Sequence, residues 1–566
     1  MIKIENDVFY MSAGETCYII KTDGKTLTHV YYGKRVEPED DLASLCGDSA
    51  EFIIGSVSRG GKKITPQFEF VGAEELLDKP ICGPTLAGGK TLKLGFIDQA
   101  NMIALDCFYT PYPRGGFSRR IVIKNEGDTA IRLGEVKQTV PLEIARVVTV
   151  GVGGSIDSDS NERAMKNYAA VTAYNADETA GEVYGFLNPF YDGEVAVDRE
   201  RSIAACLDSG VAIEPNGVYR SPELLAVYAD TGLCGSAHVF HDILRENMYD
   251  GQGGRIRTVL FLPNCDEKNA AAAAHEAYEL GCDVIAVDGG LSHAALARIS
   301  DECKRVGISL GVRLSREING DGAFFDNAYC KESDGGYLLD LSVKSADKLI
   351  AAIGRAVENY DLKYVMLDLP KIGPSPSLAR AIYLIKDELK KTFPEMNAEW
   401  GLSVGDMHRG FAACYPGVAV RTVVNPLPQS GLKLRFDCAT MGELGYEFNP
   451  TELDDGIKRA VRAQILSYQD DAPTVMDGDL YHKRFGGGYY MMSVSKDKSR
   501  AYAVCVVNKS SGRVKLIGLD EHNLYNVRET GKTYSGAALA HFGLPLPSTE
   551  QKTSFVIHLR QVADYE

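Results

Sequence analysis

One tryptophan, Trp400, serves all 566 residues, and no run of apolar residues is long enough to span a bilayer. Behind the opening Met1-Ile2-Lys3-Ile4-Glu5-Asn6-Asp7 there is no apolar stretch of the kind a secretory leader carries. A soluble protein of the cytoplasm is expected, with no membrane partner. Basic charge is also scarce: 61 Lys and Arg stand against 77 Asp and Glu, a formal charge of -16, and no basic stripe offsets it. Such a surface repels a phosphate backbone, which argues against a nucleic-acid partner. No Cys-x-x-Cys pair occurs. The 13 cysteines are odd in number and scattered, several inside apolar runs (Cys107, Cys206, Cys282, Cys505), as small buried hydrophobes are in a reducing compartment. Neither a disulfide framework nor a thiolate metal site is expected, and no cofactor is implied.

The short motifs that are present have ordinary explanations. Gly151-Val152-Gly153-Gly154 resembles half of a dinucleotide loop but lies in a strand-rich region with no helix pattern behind it. Gly486-Gly487-Gly488 marks a turn into the last domain. His238 and His241 have a spacing that places both on one helix face, without a third ligand, so packing or capping accounts for them better than metal.

Three regions differ in their turn and periodicity signals. From Met1 to about Glu223, short alternating runs are separated by Gly, Asp and Asn turns, as where Phe117 to Lys124 runs into Asn125-Glu126-Gly127-Asp128. From Thr258, apolar runs alternate with helical spacing. Thr258 to Pro263, Val284 to Val287, Ser309 to Leu314, Tyr337 to Leu341, Tyr364 to Leu369 and Asn397 to Ser403 read as strands. A helix capped by Asp266 and reaching Leu280, another from His293 to Val306, and the periodic sets Leu349, Ile350, Ile353, Val357 and Leu378, Ile382, Ile385, Leu389 lie between them. Such alternation predicts a parallel sheet with right-handed crossovers, a β/α barrel in preference to an open doubly wound sheet. Near the end, Tyr489 to Val494, Ala501 to Val507, Val514 to Leu516 and Thr553 to Leu559 return to all-β patterning. The expected domains are 1–250, 251–476 and 477–566.

Asp368 is the first candidate for chemistry. It closes the apolar run Lys363-Tyr364-Val365-Met366-Leu367-Asp368, and an unpartnered buried carboxylate costs several kcal/mol or more. At the C-terminal end of a barrel strand such an acid occupies the active face. Capping of the next turn, or pairing with Lys371, is the competing explanation.

The order of segments resembles glycoside hydrolase family 36, the α-galactosidase or melibiase family, in a short and divergent form. Leu27-Thr28-His29-Val30-Tyr31-Tyr32-Gly33-Lys34-Arg35 resembles the family's Leu-x-His-Leu-Tyr-Phe-Gly-Lys-Arg motif. Tyr219-Arg220-Ser221-Pro222-Glu223, with Gly232-Leu233 and Ser236 to His241, is similar to its approach to the barrel. Leu516-Ile517-Gly518-Leu519-Asp520 through Gly531 and Tyr534-Ser535-Gly536 resemble its closing domain. The resemblance implies an N-terminal β-supersandwich, a central (β/α)8-type TIM-like barrel and a C-terminal antiparallel β-domain. It implies a retaining enzyme acting on an α-linked sugar, with a small carbohydrate as ligand, no cofactor, and room for a homo-oligomer.

By that resemblance Asp368 falls on the nucleophile, in a motif that elsewhere reads Lys-Trp-Asp-Met-Asn. Asp288 falls on the second acid of Asp-Asp-Gly-Trp, and Glu317 on the last acid of Glu-Pro-Glu. Retaining chemistry needs a second acid to protonate the leaving oxygen and then activate water. The family's stretch carrying that acid is largely deleted here. Asp406 is the nearest substitute, 38 positions beyond Asp368, followed by Glu399; Asp406 also has His408 and Arg409 beside it to hold in a turn. The substrate-binding candidates are Asp288, Glu317, Glu399, Trp400 and Arg409. The family's Lys, Trp and Asn around the nucleophile are Met366, Leu367 and Pro370, and Val287 and Gly290 replace an Asp and a Trp of the sugar-binding motif. A rewired or partly degraded site follows, and with it a second reading, an inactive relative that binds carbohydrate or serves as structure.

Overall fold

A computed structural model describes residues 1–37, 49–80, 85–141, 146–151, 156–158, 168–174, 180–190, 195–197, 202–208, 210–249, 258–263, 267–315, 317–318, 320, 322–333, 336–340, 342–368, 376–401, 421–508 and 512–562. The chain forms two compact units, Met1–Met248 and Tyr249–Glu566.

The first unit is built from antiparallel sheets, one of ten strands and three of four, with the helix Leu233–Asn247 behind them. Alternation does the work: from Ile103 to Tyr109 every second residue is buried, and these residues join Phe9, Tyr18, Phe96 and Phe117 in one core. Residues of the family-like motifs are pins of this unit. His29, Tyr18 and Arg119 surround the wholly buried Glu51, with Arg119 Nη2 2.7 Å from Oε2, His29 Nδ1 2.8 Å from Oε1 and the Tyr18 hydroxyl donating at 2.9 Å. Glu223 is likewise buried, paired with Lys79 and accepting the Leu86 N–H at 2.9 Å. His241 is buried on the helix that also carries His238.

Among the described residues, the second unit is organised by a seven-stranded sheet in which every pairing is parallel. From Thr258–Phe261 the strands run outward in chain order through Val284–Asp288, Ser309–Leu314 and Leu362–Asp368 to Asn397–Gly401. On the other flank Glu443–Glu447 lies against Thr258–Phe261, and Arg421–Val424 forms the edge. The helices Glu267–Leu280, His293–Val306, Val343–Tyr360 and Pro376–Thr392 stand between these strands in the chain, as the spacing predicts. Both faces of the sheet are covered, which is why Val284 to Val287 reads as an unbroken apolar run. Leu260, Ile285, Val287, Val312, Val365 and Leu367 pack with the helices, whereas Val259, Phe261, Val284, Ala286, Tyr364 and Met366 form a separate, dry inner layer. Helix His293–Val306 has both its ends written in the sequence. The Ser292 hydroxyl accepts the Ala295 N–H, and Gly307 takes φ 91, a conformation that L side chains resist.

One expected barrel strand lies elsewhere. Tyr337 falls in Gly336–Leu339, which pairs antiparallel with Cys330–Ser333 and Glu317–Ile318 in a three-stranded sheet outside the parallel one. The reason is local: Ser333 pairs antiparallel with Gly336, only three positions later, so the run turns back on its neighbour instead of crossing over. Gly486-Gly487 is a hairpin turn of the same length, joining Asp479–Phe485 to Gly488–Val494. Asp266 and the segment 152–154 lie outside the described residues. Cys107, Cys282 and Cys505 are buried thiols. No helix among the described residues is long and apolar enough to cross a membrane.

The C-terminal antiparallel sheet has six strands, and Met491, Tyr502 and Val504 on one face share a core with Val475 and Met476 of helix Asp455–Asp477. His558 fastens the two. Its Nε2–H donates to Asp471 of the helix at 2.9 Å, and its Nδ1–H donates to Glu529. Burial opposes the charge on the ring, but the two carboxylates outweigh it and lift the pKa to about 9. A folded pKa above the unfolded value near 6.5 gives stability that is complete below pH 6.5 and lost as pH rises through 9, amounting to about 3 kcal/mol. Urea unfolding between pH 6 and 10 should therefore show a steeper loss between about pH 6.5 and 9 in the unaltered chain than in His558→Gln. Parallel pH profiles for the two proteins would remove His558 from this role.

Candidate active site

The C-terminal ends of the parallel strands form one edge of the sheet, and the acids singled out by sequence distribute unevenly around it. Asp288 ends its strand in register with Arg313, is exposed, and accepts the Gly290 N–H through Oδ1 at 2.7 Å. Asp368 ends Leu362–Asp368 in register with Gly401, two residues beyond the inner-layer residue Met366. Trp400 is in register with Leu367 on the next strand. Glu317 belongs to the antiparallel sheet, opposite Leu338. Asp406 and Arg409 lie outside the described residues.

Two residues that sequence reasoning passed over meet at this edge. Arg313 of Ser309–Leu314 and Glu447 of Glu443–Glu447 form an ion pair at 2.5 Å, although two strands stand between theirs in the sheet. Only a curled sheet brings them together across its inside. The Arg313 guanidinium lies 5.6 Å from the centroid of the Phe261 ring, over the dry inner layer, and both charged side chains keep about a third of their surface open.

Glu399 takes part in a second crossing, this time between the two outermost strands. Arg421 grips it in a fork, Nε to Oε2 and Nη2 to Oε1, each at 2.7 Å, while Nη2 also donates to Glu443 at 2.6 Å and Nη1 to the Leu444 carbonyl at 2.7 Å. The Tyr364 hydroxyl donates to Glu399 at 2.8 Å, and the guanidinium lies 5.7 Å from the Tyr364 ring. Lys386, its ammonium 4.8 Å from the Tyr249 ring, contributes nearby positive charge, although burial brings its pKa down to about 8. Arg421 is 2% exposed. Two carboxylates in contact inside a protein cannot both ionise beside one guanidinium. Burial raises both, but Arg421 and the hydrogen bonds it makes hold Glu399 below the usual range. Burial and the Glu399 charge push Glu443 well above it. Glu443 therefore keeps the shared proton and donates it to Glu399, and Arg421 stays charged.

Comparison with known proteins bears on what this edge is for. The model of the glycosyl hydrolase family 36 C-terminal domain matches residues 489–559. Alpha-galactosidase AgaA of Geobacillus stearothermophilus is 23% identical over 482 residues, spanning 67% of this chain and 66% of that one, so just under two thirds of this relative's length is matched. The chain thus carries a match to the family's C-terminal domain and is similar to its alpha-galactosidases over about two thirds of its length. Among solved family 36 structures, GH36 alpha-galactosidase AgaB of Geobacillus stearothermophilus superposes with a TM-score of 0.81 at 19% identity, covering 99% of this chain and 100% of that one. A variant of AgaA in complex with raffinose gives 0.80 at 18% identity over 98% and 100%.

The strand Glu443–Glu447 carries no continuous apolar run because its inward positions are Glu443, Gly445 and Glu447. Alternation was the available signal, with Leu444 and Tyr446 on the buried outer face. The proton assignment makes the cluster testable. Glu443→Gln, which replaces a protonated carboxyl by a neutral donor, should stay within about 1 kcal/mol of the unaltered chain, whereas Arg421→Met should cost about 3–5 kcal/mol by leaving Glu399 buried and unpaired. Urea denaturation at pH 7 measures both, and equal losses for the two variants would refute the assignment.

Proposed function

We propose that this protein is a retaining glycoside hydrolase that acts on an α-linked, galactoside-type sugar through a rewired pocket. The observation that carries the reading is the place of Asp368 at the C-terminal end of a parallel strand, on the same edge as Asp288, in a chain similar to family 36 alpha-galactosidases. The parallel strand order and the curl of the sheet support a (β/α)8 barrel. The family likeness supports an N-terminal supersandwich and a three-part layout of 1–250, 251–476 and 477–566. The names of the relatives and the raffinose bound by the AgaA variant support a small α-galactoside as the ligand.

In this mechanism the Asp368 carboxylate attacks the anomeric carbon and forms a glycosyl-enzyme ester. Asp406 protonates the departing glycosidic oxygen, then takes a proton from the water that cleaves the ester. The two acids need different proton affinities for these roles. Asp288, Glu317, Trp400 and Arg409 contact the sugar, and Glu399, held ionised by Arg421, fixes the strand that carries Trp400. A non-hydrolytic, carbohydrate-binding relative is the second reading. It is favoured by Met366, which fills the inner layer below Asp368 at 4% exposure and offers a sugar no hydrogen bond.

Each charged hydrogen bond lost to substrate costs about 1.5–3 kcal/mol, so two or three compound to several decades in rate. Melibiose and raffinose should be hydrolysed weakly or not at all. Aryl α-galactosides with good leaving groups depart without protonation and should retain activity that Asp368→Asn abolishes. Efficient turnover of the natural sugars would overturn the degraded pocket, and undiminished aryl-glycoside turnover in Asp368→Asn would remove Asp368 from the chemistry.

A further inference from the structure

We infer that the Arg313–Glu447 pair is a specificity-determining element of the strand-end site, reading adjacent hydroxyls of a neutral sugar and excluding acidic sugars. The inference rests on the glycosidase reading for the class of ligand and on the geometry for the residues. The pair spans the inside of the curled sheet from strands that are not neighbours, and it lies over the Phe261 ring where the dry layer ends. About a third of each side chain is open to solvent, unlike the buried Arg421 cluster deeper in the same sheet.

Arg313 is in register with Met366 on the neighbouring strand, and Asp368 follows two residues later, a rise of roughly 7 Å. A sugar whose anomeric carbon met Asp368 would thus set other ring positions near the pair. A carboxylate and a guanidinium side by side match the two functions of adjacent hydroxyls, one donating to Glu447 and the other accepting from Arg313. An apolar floor with a few charged groups is the usual make-up of a small-ligand site. The sign of the edge sets the exclusion. Among the described residues that end or nearly end the parallel strands, Asp288 and Glu447 outnumber Arg313, so a sugar carboxylate meets net repulsion and must compete with Glu447 for the guanidinium.

Calorimetric titration of the full chain with D-galactose and with D-galacturonate tests this, because neither monosaccharide needs to be hydrolysed. The unaltered protein should bind galactose at least about tenfold more tightly than galacturonate. Arg313→Met should weaken galactose about tenfold or more, and Glu447→Gln should shift the preference about tenfold toward galacturonate, the size expected for one charge-assisted contact. Should Arg313→Met not fold, Arg313→Lys, which keeps the charge without the fork, should still weaken galactose. Absence of galactose binding, tighter binding of galacturonate, or unchanged affinities in the variants would each overturn the inference. KM for an aryl α-galactoside separates this failure from that of the hydrolase reading. Turnover with a KM indifferent to both variants rejects the pair and keeps the hydrolase, whereas the expected binding pattern without any turnover keeps the pair and rejects the hydrolase.

Discussion

Arg421 is the residue on which the second unit turns. It lies at one edge of the described parallel sheet, and the carboxylate it grips belongs to the opposite edge, so the interaction fixes the curl of seven strands at once. A guanidinium at 2% exposure is tolerable only with full compensation, and the fork to Glu399, the contact to Glu443 and the bond to the Leu444 carbonyl provide it. Geometry and charge then determine each other. Glu399 must be ionised to match Arg421, and Glu443 must hold a proton to lie against Glu399. The Tyr364 hydroxyl completes the set and ties in the strand that ends at Asp368. An acid at the end of that strand inherits its position from the cluster four residues earlier.

Much of this fold can be read from the chain, and the exceptions have physical causes. Helix His293–Val306 was legible to the residue because a Ser cap and a Gly stop flank a periodic apolar stripe. Ser309–Leu314 was equally plain as a buried β-rich run. Glu443–Glu447 was not, since its inward residues are charged or lack a side chain, and burial of charge leaves no hydrophobic signature. Gly336–Leu339 erred in the other direction. Its apolar content suggested a crossover strand, while its close antiparallel pairing, Ser333 with Gly336, makes it the second arm of a hairpin.

Family-like motifs gave the fold more than the site. His29 and Glu223, inside two of the segments that resemble family 36, are spent on the buried Glu51 and Lys79 clusters of the first unit. Such residues resist change because removing one partner strands the other charge in a dry interior. They mark architecture and leave the chemistry open. The strand-end residues differ in kind: Asp288 is exposed and about a third of the Arg313–Glu447 pair is open, so substitutions there meet no comparable penalty. A scaffold pinned by buried ion clusters can therefore keep its shape while the groups at its open edge are replaced.

A buried acid without a partner is costly, and that consideration first drew attention to Asp368. Applied to the whole molecule, the same consideration sorts the acids into two populations. Glu51, Glu223 and Glu399 each face a cation or a ring of donors inside the protein, and their charge is consumed by that contact. Glu443 escapes the cost by remaining protonated. Asp288 and Glu447 instead end their strands in contact with water, where an ionised carboxylate is stable without a buried partner and remains accessible to a ligand. Chemistry on a small molecule requires acids of the second kind, and on this sheet they gather at the C-terminal strand ends, the same edge at which the chain places Asp368.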